Sequence, residues 1–150
     1  MAWSTPSTVT TGDLITAATW NQDVVNNTIA LLPVGVEFFI DGGGGAITTG
    51  IKGGLEIPMA LTIDRCTLLP DQSGSIKIDI WKDTYANYPP TDADTITGGN
   101  EPEISASTKD QDSTLTSWTT SITAGDILFF NVDSCTTITW CLLSLKCSRS

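Results

Sequence analysis

The hydrophobic pattern divides this chain into two parts. In residues 16–32 one stripe recurs at intervals of three or four, through Ala17, Trp20, Val24, Thr28 and Leu31. That spacing predicts a helix of about four turns. Thr16 suits the N-cap of this helix, and Pro33 ends it. From residue 34 onward the period changes to two, which is typical of half-buried β-strands.

The clearest alternation lies in residues 57–84. Its apolar positions are Met59, Leu61, Ile63, Ile76, Ile78 and Ile80. Residues 70–74, PDQSG, supply turn formers between the two runs. We interpret the stretch as a pair of antiparallel strands at the core of a β-sandwich.

The remaining β pattern predicts further strands and turns. Strands are expected at 36–41, 103–106, 115–122, 127–132 and 136–146, and turns at 42–45, 50–54 and 124–126. The last strand is apolar on both faces, so it is either covered in the centre of the fold or part of a subunit interface. The predicted fold is an all-β antiparallel sandwich, residues 34–150, preceded by an N-terminal arm and helix, residues 1–33.

The predicted helix carries a narrow apolar stripe, and its asparagines lower helix propensity. Such a helix is not expected to be stable alone in water. We therefore assign Trp20, Val24 and Leu31 to an anchoring or oligomerisation interface with a copy of the chain or another protein. Packing of the helix on its own sandwich is the alternative.

Composition excludes several functions. Lys and Arg total 7 against 17 Asp and Glu, a net charge of −10, which disfavours nucleic acids and anionic membranes as partners. No secretory leader is recognisable at the N-terminus, and no apolar run reaches the ~18 residues of a membrane span. The sequence has no histidine, the usual neutral-pH base and the commonest metal ligand. We expect no cofactor, no metal and no enzymatic activity.

The four cysteines leave alternatives open. Cys135, Cys141 and Cys147 are spaced by six, so neighbours on one straight strand would lie about 20 Å apart and could not form a disulfide. There is no C-x-x-C motif to suggest zinc. The cysteines are either free buried thiols, or Cys66 pairs with one of the others, or Cys147 forms an interchain bridge.

Residues 83–113 break the strand pattern and are acidic, which predicts a surface excursion. Asp92 with Asp94, or Asp110 with Asp112, could contribute carboxylates to a calcium site, although a solvated acidic loop is the simpler interpretation.

Three aromatic residues near this excursion are candidate surface contacts: Trp81, Tyr85 and Tyr88. Their rings could stack on sugars. Capping one end of the sandwich is the alternative use.

The N-terminal run TGDLITAATWNQDVVNN, residues 11–27, resembles a motif that opens tail-fibre and related virion proteins of tailed bacteriophages. The matching positions are Gly12, Thr16, Ala17, Asn21 and Asn27, while Asn26 stands where the motif often has aspartate.

A second resemblance covers the β region. The runs at 57–69, 73–84 and 123–132 are similar to a β-sandwich module of phage tail-fibre and other virion-surface proteins. The resemblance implies a jelly-roll-like head with a structural or adhesive role and no catalytic residues. The cysteines at 135, 141 and 147 depart from its pattern.

These resemblances imply a structural protein of the virion, assembled in the bacterial cytoplasm with capsid or tail subunits, and a homotrimer. A host-reaching fibre needs a shaft between anchor and head, whereas here residues 33–35 join them directly. We therefore expect a capsid decoration, or cement, protein. The alternative is a tail-fibre or receptor-binding subunit that contacts host glycans. A depolymerase is disfavoured.

Overall fold

The computed structural model describes residues 4–30 and 33–149. A helical segment comes first, with α1 at Ala17–Trp20, a π-helical turn at Asn21–Asn26 and α2 at Asn27–Ala30. The strands that follow are β1 Val34–Asp41, β2 Gly50–Ile57, β3 Leu61–Pro70, β4 Gly74–Asp83, β5 Glu103–Ser107, β6 Asp110–Asp112, β7 Ser121–Ile122, β8 Asp126–Thr136 and β9 Trp140–Arg149.

The predicted helix begins where expected. Thr16 is its N-cap, and the Thr16 hydroxyl accepts a hydrogen bond from the Thr19 amide at 3.2 Å. The π-helical turn was not predicted. Because π-helical hydrogen bonds span five residues, this turn rotates the later stripe positions away from the line that a regular α-helix would give.

The strands are connected as nested antiparallel pairs. β1 pairs with β9, β2 with β8, β3 with β6 and β4 with β5. The four nested pairs form one long hairpin. This hairpin folds over on itself, so that β9 also pairs with β3 and β8 also pairs with β4. The result is a first sheet in the order β1-β9-β3-β6, with β7 beside β3, and a second sheet in the order β2-β8-β4-β5.

A five-stranded and a four-stranded sheet connected in this way form a jelly roll, so the predicted antiparallel sandwich is confirmed. The core lies between the sheets and is built from aliphatic side chains of both. The ring of the partly buried Phe38 stacks on that of Phe130, with centroids 4.3 Å apart.

The two strands of residues 57–84 do not pair with each other, contrary to prediction. β3 belongs to the first sheet and β4 to the second. Asp71 holds the turn between them against the start of β9, where its carboxylate accepts hydrogen bonds from the Thr139 amide at 3.0 Å and hydroxyl at 2.7 Å. The turn therefore carries the chain across the sandwich.

A β-bulge interrupts the alternation within β3. The register of β3 against β9 shifts between Ile63 and Arg65, so the buried positions continue at Cys66 and Leu68 instead of keeping one alternation. Met59 precedes the strand and packs partly buried against the core. β3 thus begins at Leu61, later than the predicted run that starts at residue 57.

Residues 50–54 form the start of β2 and are not the predicted turn. This part of β2 pairs with β8, and two of its positions require glycine because a larger residue would not fit. A Cβ at Gly54 would lie 2.3 Å from the Phe129 ring, and one at Gly53 would lie 3.1 Å from Phe38. The close approach of aromatic side chains explains a glycine-rich strand.

Two other strand predictions need correction. Residues 115–120 are irregular, with positive φ at Leu115 and Ser117, and only Ser121–Ile122 forms a strand. The final strand is Trp140–Arg149 instead of 136–146, and its inner face carries Cys141, Leu143, Leu145 and Cys147. The predicted first strand, the short edge strand and the strand at 127–132 are confirmed.

The excursion after β4 covers the outer face of the second sheet. Asp79 and Trp81, which alternation assigns to solvent, are both buried there. The Asp79 carboxylate accepts hydrogen bonds from the Trp81 indole at 2.7 Å and from the Thr95 and Thr97 hydroxyls at 2.7 and 2.8 Å. A buried carboxylate is stable only with such donors, so Asp79 ties residues 95–97 to the sheet.

Replacing this carboxylate tests its role. We expect Asp79→Asn to lower the free energy of unfolding by about 2–4 kcal/mol, because the amide removes charge from several hydrogen bonds and turns one acceptor into a donor. Urea denaturation at neutral pH measures the change. Asp92→Asn, on an exposed turn of the same excursion, is the matched control and should change stability by less than about 0.5 kcal/mol. Equal midpoints for the two variants would contradict this account of Asp79.

Candidate interaction surfaces

The N-terminal arm folds back along the helical segment. The Ser4 amide donates to the Asn27 carboxamide oxygen at 3.0 Å, and the Asn27 amide group donates to the Ser4 carbonyl at 2.9 Å. Further along, the Ser7 amide donates to the Asp23 carboxylate at 2.8 Å. Asn27 is buried by this contact. The arm and the helical segment therefore form one small unit, which the sequence pattern did not indicate.

This unit keeps its apolar side chains at the surface. Leu14 is 87% exposed, Trp20 55% and Val24 42%. The described helical residues contribute nothing to the buried core cluster of the sandwich. Trp20 and Val24 therefore do not pack on the sandwich of their own chain. Leu31 lies outside the described residues. The assignment of Trp20, Val24 and Leu31 to an interface stays a prediction.

A second apolar surface lies on the outer face of the first sheet. Phe39 on β1 stands opposite Leu142 on β9, and Leu142 stands opposite Leu69 on β3. The Trp140 ring packs against Phe39 with centroids 5.5 Å apart. Phe39, Leu69 and Trp140 are exposed, and Leu142 is half-buried. We call these four residues the apolar face. It explains why the last strand is apolar on both sides.

The aromatic candidates separate into two environments. Trp81 is only 7% exposed, so the structure corrects its assignment as a surface contact. Tyr85 is 84% exposed, and Tyr88 is exposed while its ring meets Phe129 edge-on at 5.7 Å. Tyr88 thus also covers the second sheet. A ligand for the two tyrosines stays a prediction.

One carboxylate of each acidic pair caps a local turn. The Asp94 carboxylate accepts hydrogen bonds from the Thr91 amide and hydroxyl, both at 2.8 Å. Asp112 accepts from the Thr114 amide at 2.7 Å and the Leu115 amide at 3.2 Å. In residues 4–30 and 33–149, no group of three or more His, Cys, Asp or Glu side chains is arranged to hold a metal ion. Within the same ranges, no helix combines the length and hydropathy needed to cross a bilayer.

The cysteines are free thiols in different settings. Cys66, Cys141 and Cys147 are buried, and Cys135 is half-buried. Burial raises the pKa of Cys66 to about 12, and the pKa values of Cys141 and Cys147 to about 11. Cys135 lies on β8 and the other two on β9, so the spacing of six does not run along one strand. Three of the four cysteines therefore fit the interpretation as buried thiols, whereas Cys135 fits it only in part.

Comparison with known proteins finds little similarity in sequence. No protein-family model and no curated protein matches the chain. One solved structure with weak similarity is that of infectious bursal disease virus, Gx strain, with 12% identity and a TM-score of 0.33. The match covers 77% of this chain and 32% of that chain, so this chain spans about a third of its length. At that TM-score the likeness carries no functional argument.

Thiol reactivity tests the burial of the cysteines. At pH 8 the raised pKa values of Cys66, Cys141 and Cys147 keep these groups protonated, so we expect them to resist Ellman's reagent in the native protein. Burial also raises the pKa of Cys135, but this side chain is only half-buried and should therefore react first. After denaturation all four thiols should react. Cys135→Ser is the control and should abolish the early phase. More than one rapidly reacting thiol in the native wild type would contradict the burial described here.

Proposed function

We propose that this chain is a non-enzymatic structural protein of a tailed-phage particle, and specifically a capsid decoration protein held in place through its N-terminal segment. The observation that carries the proposal is the exposed apolar surface around Trp20 and Val24. The sandwich has a complete core of its own and does not use this surface. An apolar surface of that kind marks an association site.

The two sequence resemblances agree with this division into an associating N-terminal segment and a separate sandwich. The phage-like N-terminal motif at 11–27 coincides with the helical segment, from its Thr16 cap through Asn27. The runs resembling a virion-surface module fall mainly on β3, β4 and β8. Fold alone does not define function, since jelly rolls serve several roles. The proposal therefore rests on the N-terminal segment together with the phage-like sequence.

The proposed partners are other virion proteins, and the proposed site of assembly is the cytoplasm of the bacterial host. A homotrimer is the oligomer that the family resemblance favours. The segment between helix and β1 is short, because α2 ends at Ala30 and β1 begins at Val34. Such a connection suits a compact head that sits close to the surface it decorates.

A tail-fibre or receptor-binding role is the second candidate. The exposed side chains of Tyr85 and Tyr88 favour it. Exposed aromatic faces can stack on the sugar rings of host glycans. The decoration role depends on Trp20 and the receptor-binding role on Tyr85 and Tyr88, so mutations can separate the two roles.

A pair of variants distinguishes these functions. Trp20→Ala should cost about 3 kcal/mol or more of attachment free energy if the indole is buried at the contact. Particles carrying it should lose the protein or burst at a lower temperature, while Tyr85→Ala particles keep normal occupancy and heat resistance. Both residues are exposed in the isolated chain, so neither change should weaken its fold. Occupancy is measured on purified particles, and heat resistance by DNA release.

The opposite pattern would overturn the decoration proposal. If Trp20→Ala particles kept full occupancy and heat resistance, and Tyr85→Ala particles no longer adsorbed to cells, the receptor-binding role would take its place. Antibody labelling of intact particles gives an independent check. Label over the head supports decoration, and label at the tail contradicts it.

A further inference from the structure

We propose that a groove between the N-terminal arm and the helical segment receives a lysine or arginine side chain of the virion protein to which this chain attaches, and that Asp23 binds the cationic head of that side chain. This inference rests on the proposed function in one respect, the use of the N-terminal segment as the association surface. It adds the chemistry of the partner and the residue that recognises it.

The groove has the size and lining to hold one long side chain. Its volume is about 230 Å³, which is below the ~300–1,000 Å³ of a typical small-molecule site. Most of its lining residues are apolar, and Asp23 alone among them carries a charge. The lining comes from the arm and from the helical segment: Pro6, Ser7, Val9, Ile15, Thr19, Trp20, Asp23 and Val24.

The carboxylate of Asp23 is incompletely satisfied. Its Oδ2 accepts a hydrogen bond from the Ser7 amide at 2.8 Å, whereas Oδ1 is buried and has no hydrogen-bond partner among the described residues. A carboxylate offers about four acceptor sites, and a buried oxygen without a donor is unfavourable. Asp23 therefore has unused acceptor capacity at an apolar groove, and an incoming donor would use it.

The charges of the N-terminal segment select a cation. Residues 4–30 contain two carboxylates, Asp13 and Asp23, and no lysine or arginine. Both ion pairs among the described residues lie within the sandwich, where they involve Lys77 and Lys82. No basic group of the segment itself therefore competes for Asp23.

The sandwich does not supply the missing cation either. The helical segment contacts it through α2 and β9. The last residues of β9 include Lys146 and Arg149, but within the part of the chain that the structure describes neither forms an ion pair with Asp23. The group that balances this carboxylate is consequently expected from a partner.

A lysine or arginine side chain combines the two properties that the groove requires. Its aliphatic stem packs on apolar walls while its charged head remains at a polar group. The head would pair with the Asp23 carboxylate, and the exposed Trp20 indole offers a face for a cation–π contact. An apolar side chain would cover Asp23 without pairing it, and an acidic one would be repelled. The groove thus discriminates against both.

The carboxylate can be reached without unfolding the segment. Oδ1 is covered in the free chain. However, the groove walls include Val9, Trp20 and Val24, whose side chains are exposed. Exposed side chains change rotamer within nanoseconds. An incoming cation therefore gains access to Asp23 through movement of the walls alone.

Net charge favours a different protein over a second copy as the source of the cation. Each copy of this chain has a net charge of −10, so copies repel one another. A capsid or tail subunit with a basic side chain set in an apolar surface would instead be attracted to the segment. This assignment concerns the groove alone and leaves the proposed homotrimer to other surfaces of the chain.

Two matched variants test the inference on particles that lack the protein. Asp23→Asn keeps an oxygen that can accept from the Ser7 amide, but removes the charge and replaces the unpartnered oxygen with a donor. Asp13→Asn removes the same charge at an exposed position of the same segment and is the control. We expect purified Asp23→Asn chain to attach at least roughly tenfold more weakly than wild type at low salt. The Asp13→Asn chain should attach as the wild type does.

Salt dependence separates ion pairing from a loss of structure. Attachment of the wild-type chain should weaken as salt is added, because salt screens an accessible ion pair. Attachment of the Asp23→Asn chain should depend much less on salt. A variant that merely loosened the arm would be weaker at every salt concentration and would keep the wild-type dependence.

A lysine probe tests the groove without particles. The probe is acetyl-lysine methylamide, whose only charge is the side-chain ammonium, and acetyl-norleucine methylamide is its uncharged counterpart. At millimolar concentration the lysine probe should shift the indole N–H resonance of Trp20 in the NMR spectrum of the wild-type and Asp13→Asn chains. It should leave this resonance unchanged in the Asp23→Asn chain. The norleucine probe should bind more weakly to the wild type and equally to both variants.

Three outcomes would overturn the inference. The first is attachment of the Asp23→Asn chain with wild-type affinity while the Trp20→Ala chain fails to attach, which would leave the decoration role standing. The second is a Trp20 resonance that does not respond to the lysine probe. The third is self-association of the wild type that Asp23→Asn abolishes, which would place the basic side chain on a second copy.

Failure of the proposed function gives a different pattern. If the Trp20→Ala and Asp23→Asn chains both attached normally, the segment would not be the attachment surface and the decoration proposal would fail. A lysine probe that still bound in an Asp23-dependent manner would then support the cation site by itself.

Discussion

Burial of one apolar face per strand between two sheets is the constraint on which this structure depends. The nested pairing of β1 with β9, β2 with β8, β3 with β6 and β4 with β5 brings residues far apart in sequence into register. Since a shift by one residue would turn every buried side chain to solvent, the chain corrects its register with bulges, as between Ile63 and Arg65. Those bulges keep Cys66 and Leu68 in the core.

Several large apolar side chains lie outside the core, and their positions distinguish the two sheets and the helical segment. The outer face of the second sheet is covered by the chain itself, because Asp79 binds Trp81 together with Thr95 and Thr97. The first sheet leaves Phe39 and Trp140 open, and the helical segment leaves Trp20 open. The proposed association with other virion proteins would cover exposed apolar groups of this kind.

Local features of the fold could be predicted from the sequence, and nonlocal ones could not. The Thr16 cap, the strand at residues 127–132 and the edge strand near Glu103 follow from short-range patterns. At the turn where β3 and β4 separate into different sheets, Asp71 contacts Thr139 across 68 residues, and no local pattern contains that contact. The glycines at the start of β2 led to the prediction of a turn. In the structure, two of them make room for the rings of Phe38 and Phe129. Asp79 looked solvated because the hydroxyls that bury it lie in a polar excursion.

The central claim is that the helical segment is an association surface and not part of the folding core. Amide hydrogen exchange of the free, dilute chain and of assembled particles measures it most directly. We expect amides of Asn21–Asn26 and Asn27–Ala30 to exchange quickly in the free chain, while β8 is protected. On particles the helical amides should slow by roughly a hundredfold or more. Helical amides as well protected as β8 in the free chain, or unchanged on assembly, would contradict the account.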